Sequence, residues 1–239
     1  MNYAIIAAGE GSRLVQEGVA VPKPLVDLDG RPMIKRLIDI FCELNAENIS
    51  VIVNQQMEAV RQYLEAIQPT LPCPLNIVVK TTPSSMHSFM EVSQVFPPGS
   101  KFILTTVDTV FRREDFEPYV RAFENASSDI DGVMGVTTYI EDEKPLYVDV
   151  DNAGFITAFC DEPFAGVKYI SGGIYGLTTP ALDILRHCIA SGVSRMRNYQ
   201  RALIANGMKL LAYDLGKVLD VDHAGDIETA RRFINNTSR

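Results

Sequence analysis

The sequence contains no tryptophan, only three histidines, and four cysteines with no C-x-x-C pair among them. Cys42, Cys73, Cys160 and Cys188 are too scattered for a zinc knuckle or a dense disulfide framework, so they read as buried thiols of a reducing compartment. Cations are also scarce: 22 Lys and Arg stand against 30 Asp and Glu, a formal net charge of −8 over 239 residues. Proteins that grip nucleic acid backbones carry a basic surface, because neutralised phosphates supply much of their affinity. The acidic balance therefore argues against a nucleic acid partner, while a free nucleotide needs only a few cations and a metal ion. No charge-free apolar run reaches membrane-spanning length, and the opening Met-Asn-Tyr-Ala-Ile-Ile-Ala-Ala-Gly lacks the basic start and length of a secretory leader. The expectation is a cytoplasmic protein with no membrane partner.

What is present is a globular mix, 46% hydrophobic and 22% charged, able to bury a sizeable core. Short apolar runs alternate with amphipathic segments, as strands do when they feed helices around a mostly parallel sheet. Strands are predicted at Tyr3 to Ala8, Ile49 to Asn54, Leu75 to Lys80 and Lys101 to Val107. Helices are predicted from Pro32 to Leu44, Met57 to Ile67 and Ser85 to Val95. The second half reads as antiparallel strands at Gly132 to Tyr139, Leu146 to Asp149 and Phe155 to Phe159, with Asp151-Asn152-Ala153-Gly154 as a hairpin turn. A strand at Tyr169 to Leu177 precedes a helix opened by Pro180. A helix at Arg197 to Asn206, strands at Lys209 to Tyr213 and Val218 to Val221, and a helix at Asp226 to Phe233 complete the pattern. No internal repeat or linker interrupts it, so one domain over residues 1–239 is expected.

Chemistry concentrates first after the opening strand, in Ala7-Ala8-Gly9-Glu10-Gly11-Ser12-Arg13-Leu14. Glycines there let the backbone pass close to a ligand and aim N–H groups at phosphate oxygens. Arg13 adds a planar, permanently charged fork, and Pro22-Lys23-Pro24-Leu25 fixes a lysine between two prolines. A dinucleotide-binding fingerprint would need a third glycine, where Leu14 stands, and a helix opening at the loop. The stretch from Val15 to Pro22 reads instead as loop. Asp108 follows the strand ending at Val107, at the carboxyl end where open α/β sheets place ligands. Asp220 lies in Val218-Leu219-Asp220-Val221-Asp222, ahead of the last helix. Each aspartate alone reads more readily as a cap or turn residue.

The motifs Ala-Ala-Gly-Glu-Gly-Ser-Arg-Leu, Pro-Lys-Pro-Leu and Asp29-Gly30-Arg31-Pro32-Met33-Ile34, in this order and spacing, resemble the opening of the sugar-phosphate nucleotidyltransferase family. The resemblance extends to Thr105-Thr106-Val107-Asp108-Thr109-Val110-Phe111, to Leu219-Asp220-Val221-Asp222-His223-Ala224-Gly225-Asp226, and to Tyr169-Ile170-Ser171-Gly172-Gly173-Ile174-Tyr175. It implies an α/β, Rossmann-like, mostly parallel mixed sheet flanked by helices, of the glycosyltransferase-A kind, with an antiparallel acceptor-binding subregion. It implies transfer of a nucleoside monophosphate from a nucleoside triphosphate to a phosphorylated small molecule, a sugar 1-phosphate. By the resemblance, residues Ala7 to Ser12 and Ser85 bind nucleotide and Arg13 and Lys23 act on the phosphates. Asp108 and Asp220 hold Mg2+, with Asp222 as a helper and Asp226 as a helix cap. Glu162, Gly172 and Gly173 meet the acceptor.

Departures are visible too. Val107 and Gly225 replace a usual glycine and acid, Ser84-Ser85-Met86 replaces a glycine-threonine pair, and Glu162 stands where lysine is usual. Lys168, Arg195 and Arg197 are the candidates to replace that lysine, although Arg195 and Arg197 read more readily as ordinary surface charge. The alternatives are a cytidylyltransferase acting on a non-sugar phosphate such as phosphocholine, a nucleotide-sugar-dependent glycosyltransferase, and a non-catalytic nucleotide-binding regulator. The glycosyltransferase would typically carry an Asp-x-Asp after the fourth strand, where Thr109 and Val110 follow Asp108.

Overall fold

The computed structural model describes residues 1–139 and 144–236. Its first strand, β1 (Asn2–Ala7), is buried along its whole length, as a parallel strand covered on both faces should be. Side-chain alternation divides it. Tyr3, Ile5 and Ala7 enter one core and Ala4 and Ile6 the other. Tyr3 stacks on Phe41 with ring centroids 4.2 Å apart.

In chain order the elements continue as α1 (Ser12–Gln16), α2 (Met33–Glu43), β2 (Asn48–Val53), α3 (Glu58–Ile67), β3 (Leu75–Val79), α4 (Ser85–Ser93), β4 (Phe102–Thr106) and β5 (Thr109–Val110). There follow α5 (Arg113–Glu124), β6 (Gly132–Thr137), β7 (Tyr147–Val150), β8 (Ile156–Cys160), β9 (Tyr169–Leu177), α6 (Pro180–Ala190), α7 (Met196–Ala205), β10 (Leu210–Asp214), β11 (Leu219–Asp220) and α8 (Ala224–Asn235). The main sheet runs β10-β6-β9-β4-β1-β2-β3. Strands β4, β1, β2 and β3 are parallel, and β9 is antiparallel to both β4 and β6. The β7–β8 hairpin attaches to β9, which gives the expected mixed sheet with an antiparallel part. Its turn closes through Asp151 Oδ1, which accepts from the N–H groups of Ala153 and Phe155, both at 2.9 Å. No helix among the described residues is long and apolar enough to cross a membrane.

Two helices depart from the sequence pattern. Residues Ser12–Gln16 form the short helix α1 directly after Gly11, where no helix was expected to open, and its last two residues fall in the Val15 to Pro22 stretch expected to be loop. It is seeded by Gly11 at φ 62° and anchored by the buried Leu14. Helix α5 contains Pro118, whose missing N–H and ring clash cost a helix interior about 3 kcal/mol. Against that, Phe116, Tyr119, Val120 and Phe123 are all buried on one face, each stabilising by roughly 1.5–3 kcal/mol. Burial wins. Of the cysteines, only Cys188 is fully buried. Cys42 and Cys73 are half-buried, and their sulfurs lie 3.8 Å apart.

Candidate active site

The parallel strands end on one edge of the sheet, and there the chain-distant motifs meet. The backbone after β1 turns through Gly11, where a β-carbon would lie 2.9 Å from Lys23 Cβ. Only glycine fits beside the lysine stem at that φ. Lys23 opens a single 3-10 turn, Lys23–Leu25, and its side chain is only 8% exposed. A buried ammonium needs compensation. Lys23 Nζ finds it in Asp108 Oδ2 and Asp222 Oδ1, each at 2.6 Å. Burial pulls the Lys23 pKa down, but the two carboxylates outweigh it and leave the pKa raised. For Asp222 burial pushes up, and Lys23, then Arg13 and His223, outweigh it and leave the carboxyl below its ordinary range. Arg13 Nη1 donates to the other oxygen of Asp222 at 2.9 Å.

Residues 108 and 220 are joined by a two-stranded ladder. Strand β11 runs antiparallel to β5, pairing Asp220 with Thr109 and Leu219 with Val110, and the Val221 N–H donates to the Asp108 carbonyl at 3.1 Å. Asp220 therefore sits beside the turn that carries Asp108, although 112 residues separate them. Asp226 caps α8, its Oδ2 accepting from the N–H groups of Asp222 and His223 at 3.0 and 2.7 Å. Glu17, at the end of α1, reaches the same helix start through His223 Nδ1 and the Ala224 N–H, both at 2.6 Å.

Two of the cavities among the described residues open beside these charged groups. The larger is lined by Ala8, Gly9, Glu10, Gly11, Ser12, Arg13, Lys23 and Ser85, together with Asp108 and Asp222. Its far wall is polar: Asn54, Thr81, Thr82, Ser84 and Ser88. Asn54, buried at the end of β2, accepts from Thr81 Oγ1 and the Gln56 N–H at 2.8 and 3.0 Å. Ser84 caps α4 by accepting from the His87 N–H, and its hydroxyl meets His87 Nδ1 at 2.8 Å, so His87 is a capping-turn residue. Ala7 is placed elsewhere. Strand alternation turns it into the core with Tyr3 and Ile5, so it does not line the cavity.

The second cavity is lined by Arg13, Tyr139, Ser171, Gly172, Asp220, Asp222 and neighbouring residues of α8. Arg13 and Asp222 border both cavities. Gly172 is where the sequence places it, at a cavity wall. Gly173 differs: at φ 70° its missing β-carbon would meet Thr109 Oγ1 at 2.9 Å rather than a ligand. Glu162 is exposed and lines neither cavity. Its neighbour Asp161 is paired with Arg197 at 2.5 Å and Arg201 at 2.7 Å, and none of Lys168, Arg195 and Arg197 lines either cavity. Asn54 in that wall and the bridging of Lys23 and Arg13 by Asp222 are what the sequence reading lacked. An asparagine ending the apolar run Ile49 to Val53 is the one local signal that could have found Asn54.

A glycine loop with an arginine and a buried lysine, at the carboxyl edge of a mostly parallel sheet and facing strand-end aspartates, defines a phosphate-handling nucleotide-binding α/β protein. The family model for nucleotidyl transferases matches residues 3–236, and the chain belongs to that family. It is 26% identical over 189 residues to a protein of Oryza sativa subsp. japonica named probable mannose-1-phosphate guanylyltransferase 3, covering 77% of this chain and 51% of that one. It is 25% identical over 242 residues to the bifunctional protein GlmU of Methanococcus maripaludis, covering 98% of this chain and 55% of that one. The chain thus spans about half the length of these curated relatives. In fold it is similar to a putative glucose-1-phosphate thymidylyltransferase from Bacillus anthracis, with TM-score 0.85, 18% identity, and 100% of this chain and 97% of that one covered. The inositol-1-phosphate CTP transferase from T. maritima is similar at TM-score 0.80 and 18% identity, with the same coverage.

Proposed function

We propose that the chain, working as one cytoplasmic domain, transfers a nucleoside monophosphate from a nucleoside triphosphate to a sugar 1-phosphate, releasing pyrophosphate. The observation that carries this reading is the convergence of Arg13, Lys23 and Asp108 on one cleft behind the glycine loop. An oxygen of the acceptor phosphate forms a bond to the α-phosphorus while the bond from that phosphorus to the pyrophosphate oxygen breaks. The attacking phosphate is already ionised, so no general base is required. Backbone N–H groups from Gly9 to Ser12 face the phosphates, and Ser85 and the polar wall face the nucleoside. Arg13 and Lys23 stabilise charge on the five-coordinate phosphorus and on the leaving pyrophosphate.

The donor chemistry fits magnesium, with Asp108 and Asp220 as the carboxylates that would hold it. Magnesium takes one or two carboxylates and fills the rest of its shell with phosphate oxygens and water, so a gathered cluster of three acids is not needed. What supports a cation here is the Lys23 ammonium, 2.6 Å from both Asp108 and Asp222; Asp220 borders the second cavity and is brought beside the Asp108 turn by the β5–β11 ladder. When bound, the metal neutralises the reacting phosphates.

The acceptor is assigned to the second cavity, where Gly172 and Ser171 form a wall and Ser171 Oγ donates to Gln200 Oε1 at 3.0 Å. Its lining also favours a second reading. Asp220, Asp222 and Asp226 stand there against Arg13, a balance suited to a phosphate ester bearing a cation, such as phosphocholine. Pyrophosphate release, measured over a matrix of the common triphosphates with several sugar 1-phosphates and phosphocholine, with and without magnesium, tests both. Turnover with a sugar 1-phosphate supports the first reading, and turnover with phosphocholine alone replaces it with the second. Release with no pair at all would refute transfer.

A further inference from the structure

Asp222 stands where the two cations assigned to the triphosphate meet. One carboxylate oxygen takes Lys23 at 2.6 Å and the other takes Arg13 at 2.9 Å, and the residue borders both cavities. A phosphate oxygen that bound Arg13 and Lys23 together would need the space and the charge that this carboxylate now supplies. We propose that Asp222 is a built-in competitor for the triphosphate: its carboxylate occupies Arg13 and Lys23 until an incoming triphosphate displaces it. The proposal rests on the reading that those two cations contact the triphosphate.

Three features make the displacement inexpensive. The Asp222 backbone is fixed independently of its carboxylate, because the N–H groups of Asp222 and His223 bond Asp226 and the Ala224 N–H bonds Glu17. The side chain can therefore swing while the loop stays in place. Lys23 keeps Asp108 as a partner when Asp222 leaves, so no buried charge is stranded. The Asp222 side chain is 43% exposed and Arg13 51%, so water receives the released carboxylate and screens the Arg13 pair to a small net energy. The consequence is selectivity by charge. A ligand with several phosphates repays the lost ion pairs, whereas one with a single phosphate competes with Asp222 on nearly equal terms.

The test is calorimetric binding of inorganic tripolyphosphate and of an α,β-methylene nucleoside triphosphate, in chelator at low salt. Wild type is compared with Asp222→Asn and with Asp222→Ser, and Glu58→Gln, at an exposed acid of α3 outside the cleft, removes one negative charge as a control. Both Asp222 variants should bind tripolyphosphate on the order of tenfold more tightly, since two ion pairs no longer have to break. Glu58→Gln should change it by less than about twofold, the effect of a screened charge. Equal or weaker binding in the Asp222 variants overturns the proposal, as does an equal gain from Glu58→Gln, which would mean a field effect only. Having two Asp222 variants keeps the test open if one fails to fold. Failure of the transfer reading would show separately, as wild-type protein that releases no pyrophosphate from any substrate pair.

Discussion

Gly173 backs directly onto Thr109: a β-carbon at position 173 would lie 2.9 Å from the threonine hydroxyl oxygen. Thr109 is also bonded to Thr106 at 2.7 Å and paired with Asp220 in the β5–β11 ladder. The glycine thus holds open the space for the turn that carries Asp108. Gly173→Ala should strain the backbone at φ 70° and displace that turn, destabilising the protein by about 1–3 kcal/mol. A thermal melt reads the loss, and kcat should fall more than the acceptor KM rises. A melt and a kcat equal to wild type would mean that the turn does not depend on this contact.

Lys23→Ala should lower kcat/KM on the order of 10²–10³-fold, the effect of removing one donor that stabilises transition-state charge. Stopped assays of pyrophosphate release measure it. Near-normal turnover in this variant would remove Lys23 from the reaction.

Gly11→Ala introduces a methyl group 2.9 Å from Lys23 Cβ at a residue with φ 62°. The lysine stem is squeezed and the loop loses its turn, so the KM for the triphosphate should rise on the order of tenfold. The KM for the acceptor should stay close to wild type. Steady-state kinetics with each substrate varied in turn separate these outcomes.

Glu162→Gln should leave the acceptor KM within about twofold of wild type, as expected for an exposed surface substitution. The side chain is exposed and lines neither cavity. A large change in acceptor KM would instead show that this segment closes over the acceptor.

Asp161 gives a pH dependence with a defined sign. Hydrogen bonds from Arg201, then Arg197, hold its carboxyl below the ordinary 3.8. A carboxyl depressed in the folded state stabilises the protein above its unfolded pKa, and that contribution is lost as pH falls through the folded value. Asp161→Asn should therefore melt below wild type near neutral pH, and the two melting curves should converge as the pH drops below about 3.8. A gap that persists in acid would assign the effect to packing instead of charge.

The legible parts of the site were those written in contiguous residues. Gly9, Gly11 and Arg13 follow a strand that is visible as an apolar run, and Lys23 lies between prolines that fix its neighbourhood. Hidden parts depended on partners distant in sequence. Asn54 and Thr81 meet across two strands. Asp222 is one of several acids in its stretch until the ladder between β5 and β11 sets it against Lys23. Gly173 looked like a ligand-facing glycine because local sequence cannot say which neighbour fills the space of its missing β-carbon. Helix α5 went unread because Pro118 speaks against a helix locally, while four buried side chains decide for it globally.

The sequence by itself determined the alternation of strands and helices, the glycine turn and the identity of the charged groups, because these follow from side-chain period, backbone freedom and residue chemistry. Tertiary structure alone decided which acid touches which cation, which way Ala7 and Gly173 face, and that Glu162 stays outside. Coulomb energy and steric fit depend on distances of a few ångströms, and between residues far apart in the chain those distances are set only when the sheet assembles.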